Sequence, residues 1–299
     1  MKQIACIDLG TNTFHLLIVS VTNHQFTEIY RRREYVILAE NGIDMIGEKP
    51  IERAKAAIII FKDALSRFGP VVLNIIGTEA LRQASNGRVI TDFIIEHLGV
   101  TPEIISGPRE ADLIYRGTQL MIDMSVGDYC IMDIGGGSVE FILSKHGHIT
   151  FLQSFKVGVT VLYNAFHKSE PISEIEIDKM FAFLDSELKP LHEYLDKSTE
   201  KISLVGASGS YEVLQSILEG EVKRNHISTF STTEFYKLCH SIILKNKEER
   251  SRIKGLPKER VNMIVVAFLL VKYILDTGKF KDIIVSPYAL KEGVLSEMM

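Results

Sequence analysis

Two short stretches concentrate the groups able to handle a phosphate. Asp133-Ile134-Gly135-Gly136-Gly137-Ser138-Val139-Glu140 follows the apolar run Cys130-Ile131-Met132 and precedes Phe141-Ile142-Leu143, a strand–turn–strand pattern. Three glycines leave the turn's backbone amides unshielded and free to adopt the positive φ of an anion-binding nest. The carboxylates of Asp133 and Glu140 would repel a phosphate there unless a cation stood between them, which implies Mg2+ or Mn2+. The same residues also read as a plain tight hairpin.

The pattern occurs twice. A shift of 125 positions lays Asp8 on Asp133, Gly10 on Gly135, Thr13 on Ser138 and His15 on Glu140. The apolar flanks agree, and a polar break follows each copy, Thr22-Asn23-His24 and Lys145-His146-Gly147. A repeat of this length reads as a domain duplication rather than a solenoid unit. Two halves that open alike imply two similar domains facing each other, with one phosphate loop from each. Thr11, Asn12 and Thr13 add hydroxyls and an amide to the first loop, although such residues are also ordinary in turns.

Other candidates stand outside the repeat. Arg82 lies one turn into a helix after Gly77-Thr78, at the carboxyl end of a strand, where ligands of α/β sheets collect. Its fork suits bidentate phosphate recognition, yet taken alone it reads as a surface arginine. Glu110 follows Ser106-Gly107-Pro108-Arg109, with Pro108 expected at the first helical position and Glu110 at the third. A Glu there either caps the helix or serves as general base toward water; on position alone, the cap is the simpler reading. Gly206-Ala207-Ser208-Gly209-Ser210 ends a strand and opens a helix. Gly206, Ser208, Gly209 and Ser210 are candidates for holding a distal phosphate or nucleotide, or form a strand-to-helix turn. His15, replacing a carboxylate, reads as structural.

The elements that must position these residues begin as a meander. Strands are expected at 3–8, 13–21, 25–31 and 34–38. A helix over 51–68 carries Ala54, Ala57, Ile58, Phe61 and Leu65 on one stripe and stops at Gly69-Pro70. A strand over 71–76, helices through Leu81 and over 88–98, a strand at 103–105 and a helix over 111–124 complete the first half. The second half repeats this with strands at 128–134, 138–144 and 147–156. Helices near 159–166 and 172–194, a strand at 201–205, helices over 211–218, 233–244 and 259–275, a strand at 283–285 and a last helix over 289–297 follow. Strands alternating with helices after a meander argue for mixed α/β sheets covered by helices. The domains are placed at 1–124 and 125–299, with the last helix free to pack back on the first.

Composition sets the remaining bounds. At 299 residues there is room for about two domains. A net charge of −4 and scattered basic residues give no nucleic-acid footprint. Arg31-Arg32-Arg33 reads as a solvated face that could guide a polyanion. Cys6, Cys130 and Cys239 are odd in number, far apart and in apolar surroundings, so they read as buried free thiols of a reducing compartment. The run 263–271 is too short to span a bilayer, and no leader is evident. The expected location is cytoplasmic, without a membrane partner.

Taken together, these segments resemble the exopolyphosphatase / guanosine pentaphosphate phosphohydrolase family, within the actin-like ATPase superfamily that also holds sugar kinases. Ile7 to Thr13 is similar to the first phosphate motif and Asp133 to Glu140 to the second. Thr78-Glu79-Ala80-Leu81-Arg82 resembles the segment carrying the phosphate-binding arginine. Ser106 to Ala111 is similar to the motif whose Glu is the catalytic base, and Val285-Ser286 through Lys291-Glu292-Gly293-Val294 to the closing motif. Three positions depart from the pattern: Ser208 for Gly, Asn262 for an acid after Arg260-Val261, and Lys291 for Arg. The chain ends where longer members carry a further helical region.

The resemblance implies an α/β fold of two duplicated actin-like (ribonuclease H-like) domains with the active-site cleft between them. It implies release of terminal phosphate from inorganic polyphosphate or guanosine pentaphosphate, and makes Glu110 the base. The groups holding the phosphoryl would be Gly10, Thr11, Asn12, Thr13, Arg82, Gly135, Gly136, Gly137 and Ser138. The metal would sit on Asp133 and Glu140, with Asp8. A homodimer is an open alternative. A kinase of the same superfamily and a non-catalytic polyphosphate or alarmone sensor are the rival readings.

Overall fold

The computed structural model describes the whole chain except residues 1, 24, 41, 198, 199, 221 and 223–225. His24 of the first polar break therefore lies outside the described residues. By its contacts the chain divides into two compact units. The first comprises Met1–Gly117, Gly135–Gly137 and Leu290–Met299, the second Thr118–Ile134 and Ser138–Ala289.

The first unit carries a five-stranded sheet in the order β3-β2-β1-β4-β5. Its strands are β1 (Lys2–Leu9), β2 (Thr13–Thr22), β3 (Gln25–Tyr35), β4 (Val71–Gly77) and β5 (Glu103–Ile104). β1 runs antiparallel to β2 and parallel to β4. Central β1 is apolar on both faces and buried from Ile4 onward, whereas edge strand β3 is largely polar, which blunts its open side. Helices α1 (Glu48–Leu65), α2 (Glu79–Gln83), α3 (Arg88–Leu98) and α4 (Gly107–Gln119) belong to this unit. α1 buries Ala54, Ala57, Ile58, Phe61 and Ala64 against the sheet's core; it starts earlier than expected because Pro50 is accommodated in its first turn.

Two local expectations are corrected here. The strand expected at 34–38 is not separate: β3 runs through Tyr35, and 36–38 turn away as a loop. Ile37 there has φ 47°, a left-handed conformation that a β-branched residue rarely adopts. Nor is Arg31-Arg32-Arg33 uniformly solvated, since Arg31 Nη2 meets the fully buried Glu292 at 3.0 Å.

The second unit repeats the topology in a six-stranded sheet, β10-β11-β9-β6-β7-β8. Here β6 (Asp128–Ile134), β7 (Val139–Lys145) and β8 (His148–Phe155) form the meander, followed by β9 (Ile202–Gly206), β10 (Ser228–Ser231) and β11 (Phe280–Val285). β6 is antiparallel to β7 and parallel to β9, as β1 is to β2 and β4. The duplicated arrangement is thus present in both sheets, with β10 an added edge. β10 escaped the sequence reading because it is four residues long and half exposed.

Helices α5 (Val159–Phe166), α6 (Glu174–Glu187), α7 (Lys189–Leu195), α8 (Gly209–Glu219), α9 (Thr232–Ile243), α10 (Lys247–Ser251), α11 (Ile264–Asp276) and α12 (Leu290–Met298) complete the chain. The single helix expected over 172–194 breaks at Leu188, because Pro190 is compatible only with the start of a new helix. The unforeseen α10 opens with a capping box, Asn246 with Glu249. α11 is apolar nearly all round and correspondingly buried, so it is a core helix; residues 258–260 before it form a 3-10 turn instead of its first turn. Among the described residues no helix is long and apolar enough to cross a membrane.

Candidate active site

The first loop joins β1 to β2 within four residues. Gly10 N–H donates to the Thr13 carbonyl at 3.1 Å, and a Cβ at position 10 would lie 2.8 Å from that oxygen. The glycine is needed for this close approach, not for an unusual φ. The loop is held from outside by 36–38: Val36 and Ile37 N–H donate to the Asn12 carbonyl, and Leu38 N–H to that of Thr11. Arg53 of α1 in turn donates to the Val36 and Ile37 carbonyls. Sequence reasoning missed this brace because it depends on backbone groups. His15 is structural as expected, with Nε2 2.8 Å from Thr13 Oγ1.

The second turn belongs, in its three glycines, to the first unit. A Cβ on Gly136 would lie within 2.9 Å of Asn12 and Thr11 side-chain atoms; one on Gly137 would meet Glu79 Cγ at 2.9 Å and Thr11 Oγ1 at 3.2 Å. None of Gly10, Gly135, Gly136 or Gly137 has the positive φ expected of a nest. The glycines are explained by close packing. Thr11, Asn12, Gly136 and Gly137 are thereby brought together, and Glu79 with them.

Arg82 is not a surface arginine. From α2 its Nε donates to Glu79 Oε2 at 3.0 Å, Nη2 donates to the same oxygen, and Nη1 donates to the Ile105 carbonyl. Nη1 also lies 3.5 Å from Glu110 Oε2. α4 starts at Gly107, so Pro108 is its second residue and Glu110 its fourth, one place later than expected. Glu110 N–H donates to the Ser106 carbonyl, and the residue is 6% exposed. A buried carboxylate thus stands beside the Arg82 guanidinium.

Asp8 is the last but one residue of β1. Its Oδ1 is buried without a hydrogen-bond partner. Burial pushes its carboxyl up to about 6, with Lys291 of α12 opposing and Glu292 reinforcing the shift. An orphaned carboxylate oxygen with this cost of ionisation suits a cation.

In the second unit Asp133 of β6 stands directly opposite Glu140 of β7 in the antiparallel register. Glu140 is 1% exposed and its Oε1 accepts from Ser154 Oγ at 2.7 Å. Two carboxylates facing across a ladder repel unless a cation or proton intervenes. Asp133 and Glu140 thus fit a divalent ion that takes one or two carboxylates and completes its shell with water or substrate oxygens. Among the described residues no cluster of three His, Cys, Asp or Glu forms a ready cage. Ser138, next to this pair in sequence, is buried.

The candidates for a distal site are packed otherwise than an open cradle. A Cβ on Gly206 would fall 2.1 Å from the Tyr211 ring, and one on Gly209 would collide with the Arg260 guanidinium. Both glycines make room for neighbouring side chains. Ser210 is buried, and Ser208 Oγ is buried without a hydrogen-bond partner. The three cysteines are free and buried, as expected.

The sequence matches the Ppx/GppA phosphatase family over residues 17–299. The guanosine-5'-triphosphate,3'-diphosphate pyrophosphatase of Aeromonas hydrophila is 28% identical, over 97% of this chain and 58% of that protein. The chain therefore spans less than two thirds of that relative's length. A crystal structure of an exopolyphosphatase from Cytophaga hutchinsonii is 33% identical and superposes with a TM-score of 0.94, covering 99% of this chain and 97% of that one. The Aquifex aeolicus family member, 23% identical with a TM-score of 0.82 over 99% and 97% of the two chains, shares the fold. The chain belongs to the Ppx/GppA phosphatase family.

Proposed function

We propose that this protein releases the terminal phosphate of inorganic polyphosphate by attack of water. The observation that carries the reading is the buried Glu110 carboxylate 3.5 Å from the Arg82 guanidinium. Glu110 would orient a water and take its proton as the water oxygen bonds to the terminal phosphorus. The bridging P–O bond breaks, and its electron pair leaves with the shortened chain. Arg82 and the loops 10–13 and 135–138 would hold the terminal phosphoryl oxygens, since phosphoryl transfer is catalysed mainly by positioning and charge stabilisation. Asp133 and Glu140 would hold Mg2+ or Mn2+, with Asp8 a further candidate; such an ion, when bound, offsets negative charge on the phosphoryl oxygens.

The likeness to the Cytophaga exopolyphosphatase over nearly the full length of both chains supports polyphosphate as substrate. Guanosine pentaphosphate is the second reading, supported by the Aeromonas relative, and needs the same chemistry at its terminal phosphate. The test is phosphate release by purified protein with Mg2+, comparing polyphosphate, guanosine pentaphosphate and ATP. Glu110→Ala is expected to lower turnover by about 10²–10⁴-fold with binding retained. Near-normal turnover in that variant overturns the assignment of the base. Release from the nucleotide alone moves the substrate to guanosine pentaphosphate.

A further inference from the structure

Glu79 has no part in the scheme above, yet it touches two of its members. It is the first residue of α2, three places before Arg82. Both Nε and Nη2 of Arg82 donate to its Oε2, while Oε1 is buried without a hydrogen-bond partner. The carboxylate lies deeper than the guanidinium, the side chains being 5% and 21% exposed. Its Cγ fills the space that a side chain at Gly137 would occupy. An exposed i,i+3 ion pair would add only a few tenths of a kcal/mol, whereas this buried carboxylate leaves the Arg82 fork little freedom to turn. Nη1 is left on the side of the Ile105 carbonyl and Glu110.

We propose that Glu79 is a positioning residue, one that fixes the Arg82 guanidinium from behind. The inference rests on the phosphohydrolase reading for its consequence in catalysis, but not for the restraint on Arg82. Restraint prepays the entropy of ordering a long side chain around a phosphoryl group, so its loss should appear in kcat/KM. Glu79→Ala removes both acceptor and stem. Glu79→Gln keeps the stem and an oxygen in the same place, and should recover most of the loss.

The experiment is a double-mutant cycle with Arg82→Ala, read as kcat/KM for polyphosphate, beside the solvent exchange rate of the Arg82 Nε–H by NMR. Glu79→Ala should lower kcat/KM by about 30-fold in the native background and hardly at all with Arg82→Ala, the mark of residues acting as one unit. Glu79→Gln should lose only about threefold. The Arg82 Nε–H should exchange at least about tenfold faster in Glu79→Ala than in the native protein. Equal losses in both backgrounds overturn the proposal, as does an unchanged exchange rate. If the native protein releases phosphate from none of the substrates, the phosphohydrolase reading fails, and the exchange rate alone decides whether Glu79 restrains Arg82. A melting curve for Glu79→Gln separates restraint from loss of fold.

Discussion

In the first hairpin, β1–β2, Asp8 faces His15; in the second, β6–β7, Asp133 faces Glu140 at the equivalent place. The backbones repeat, but the chemistry diverges. His15 is bonded to Thr13, so the facing position in the first copy stiffens its own loop. Glu140 instead sets a second carboxylate opposite Asp133 and accepts from Ser154 Oγ. The glycines diverge in the same way. Gly10 is demanded by its own loop's backbone, whereas Gly136 and Gly137 are demanded by side chains from other segments.

The largest effect should come from breaking the charged pair. Glu140→Gln is expected to lower Mg2+-dependent turnover by about 10²–10³-fold, because an ion's charge stabilisation is worth several kcal/mol. His15→Gln should cost less than about tenfold. A Mg2+ titration of phosphate release in both variants checks this; equal losses would erase the distinction between the hairpins. In the same samples Mg2+ should raise the melting temperature of the native protein and not that of Glu140→Gln.

Next is Asp8, whose carboxyl is raised to about 6 chiefly by burial. An acid with a raised folded pKa imposes no cost below its unfolded value near 4, and stability falls as pH rises from there through about 6. Asp8→Asn should therefore stabilise the metal-free protein at pH 7 by about 2–3 kcal/mol and flatten that decline. Denaturant melts at pH 4, 6 and 8 with chelator present measure it; a variant less stable at pH 8 than the native chain would contradict the burial argument.

Smaller effects separate the loops themselves. Gly10→Ala should destabilise by about 1–3 kcal/mol, since its Cβ meets a backbone carbonyl that cannot step aside. Gly136→Ala should also destabilise, because its Cβ would meet Thr11 Cβ at 2.9 Å as well as the Asn12 amide. The smallest change is Thr13→Val, which deletes the hydroxyl bonded to His15 and should cost about 1 kcal/mol. Urea melts of the three variants measure these losses, and an unchanged midpoint for either glycine variant would show that its turn yields to a Cβ.

Much of the fold was legible because hydrophobic periodicity and glycine punctuation report local structure. The Asp8 and Asp133 repeat revealed the two equivalent sheets, and the stripe of α1 was read nearly residue for residue. Short elements were lost: β10 and α10 are too brief for a period to show, and Pro190 split a helix that the apolar pattern ran through. Arg82 and Glu110 could be nominated from their places after a strand and at a helix start. Their mutual approach could not, because it joins α2 to α4 across residues 28 positions apart.

The sequence by itself determined the duplication, the strand-and-turn placement of both loops, the buried free thiols and the residue types fit for phosphate chemistry, since each depends on neighbours along the chain. Only the tertiary structure decided that the loop glycines serve close packing rather than a left-handed backbone. It also decided that 36–38 brace Thr11 and Asn12, that Arg31 meets a buried Glu292, and that Glu79 stands behind Arg82. Those depend on which distant segments share a volume, and packing, unlike propensity, leaves no local mark on the chain.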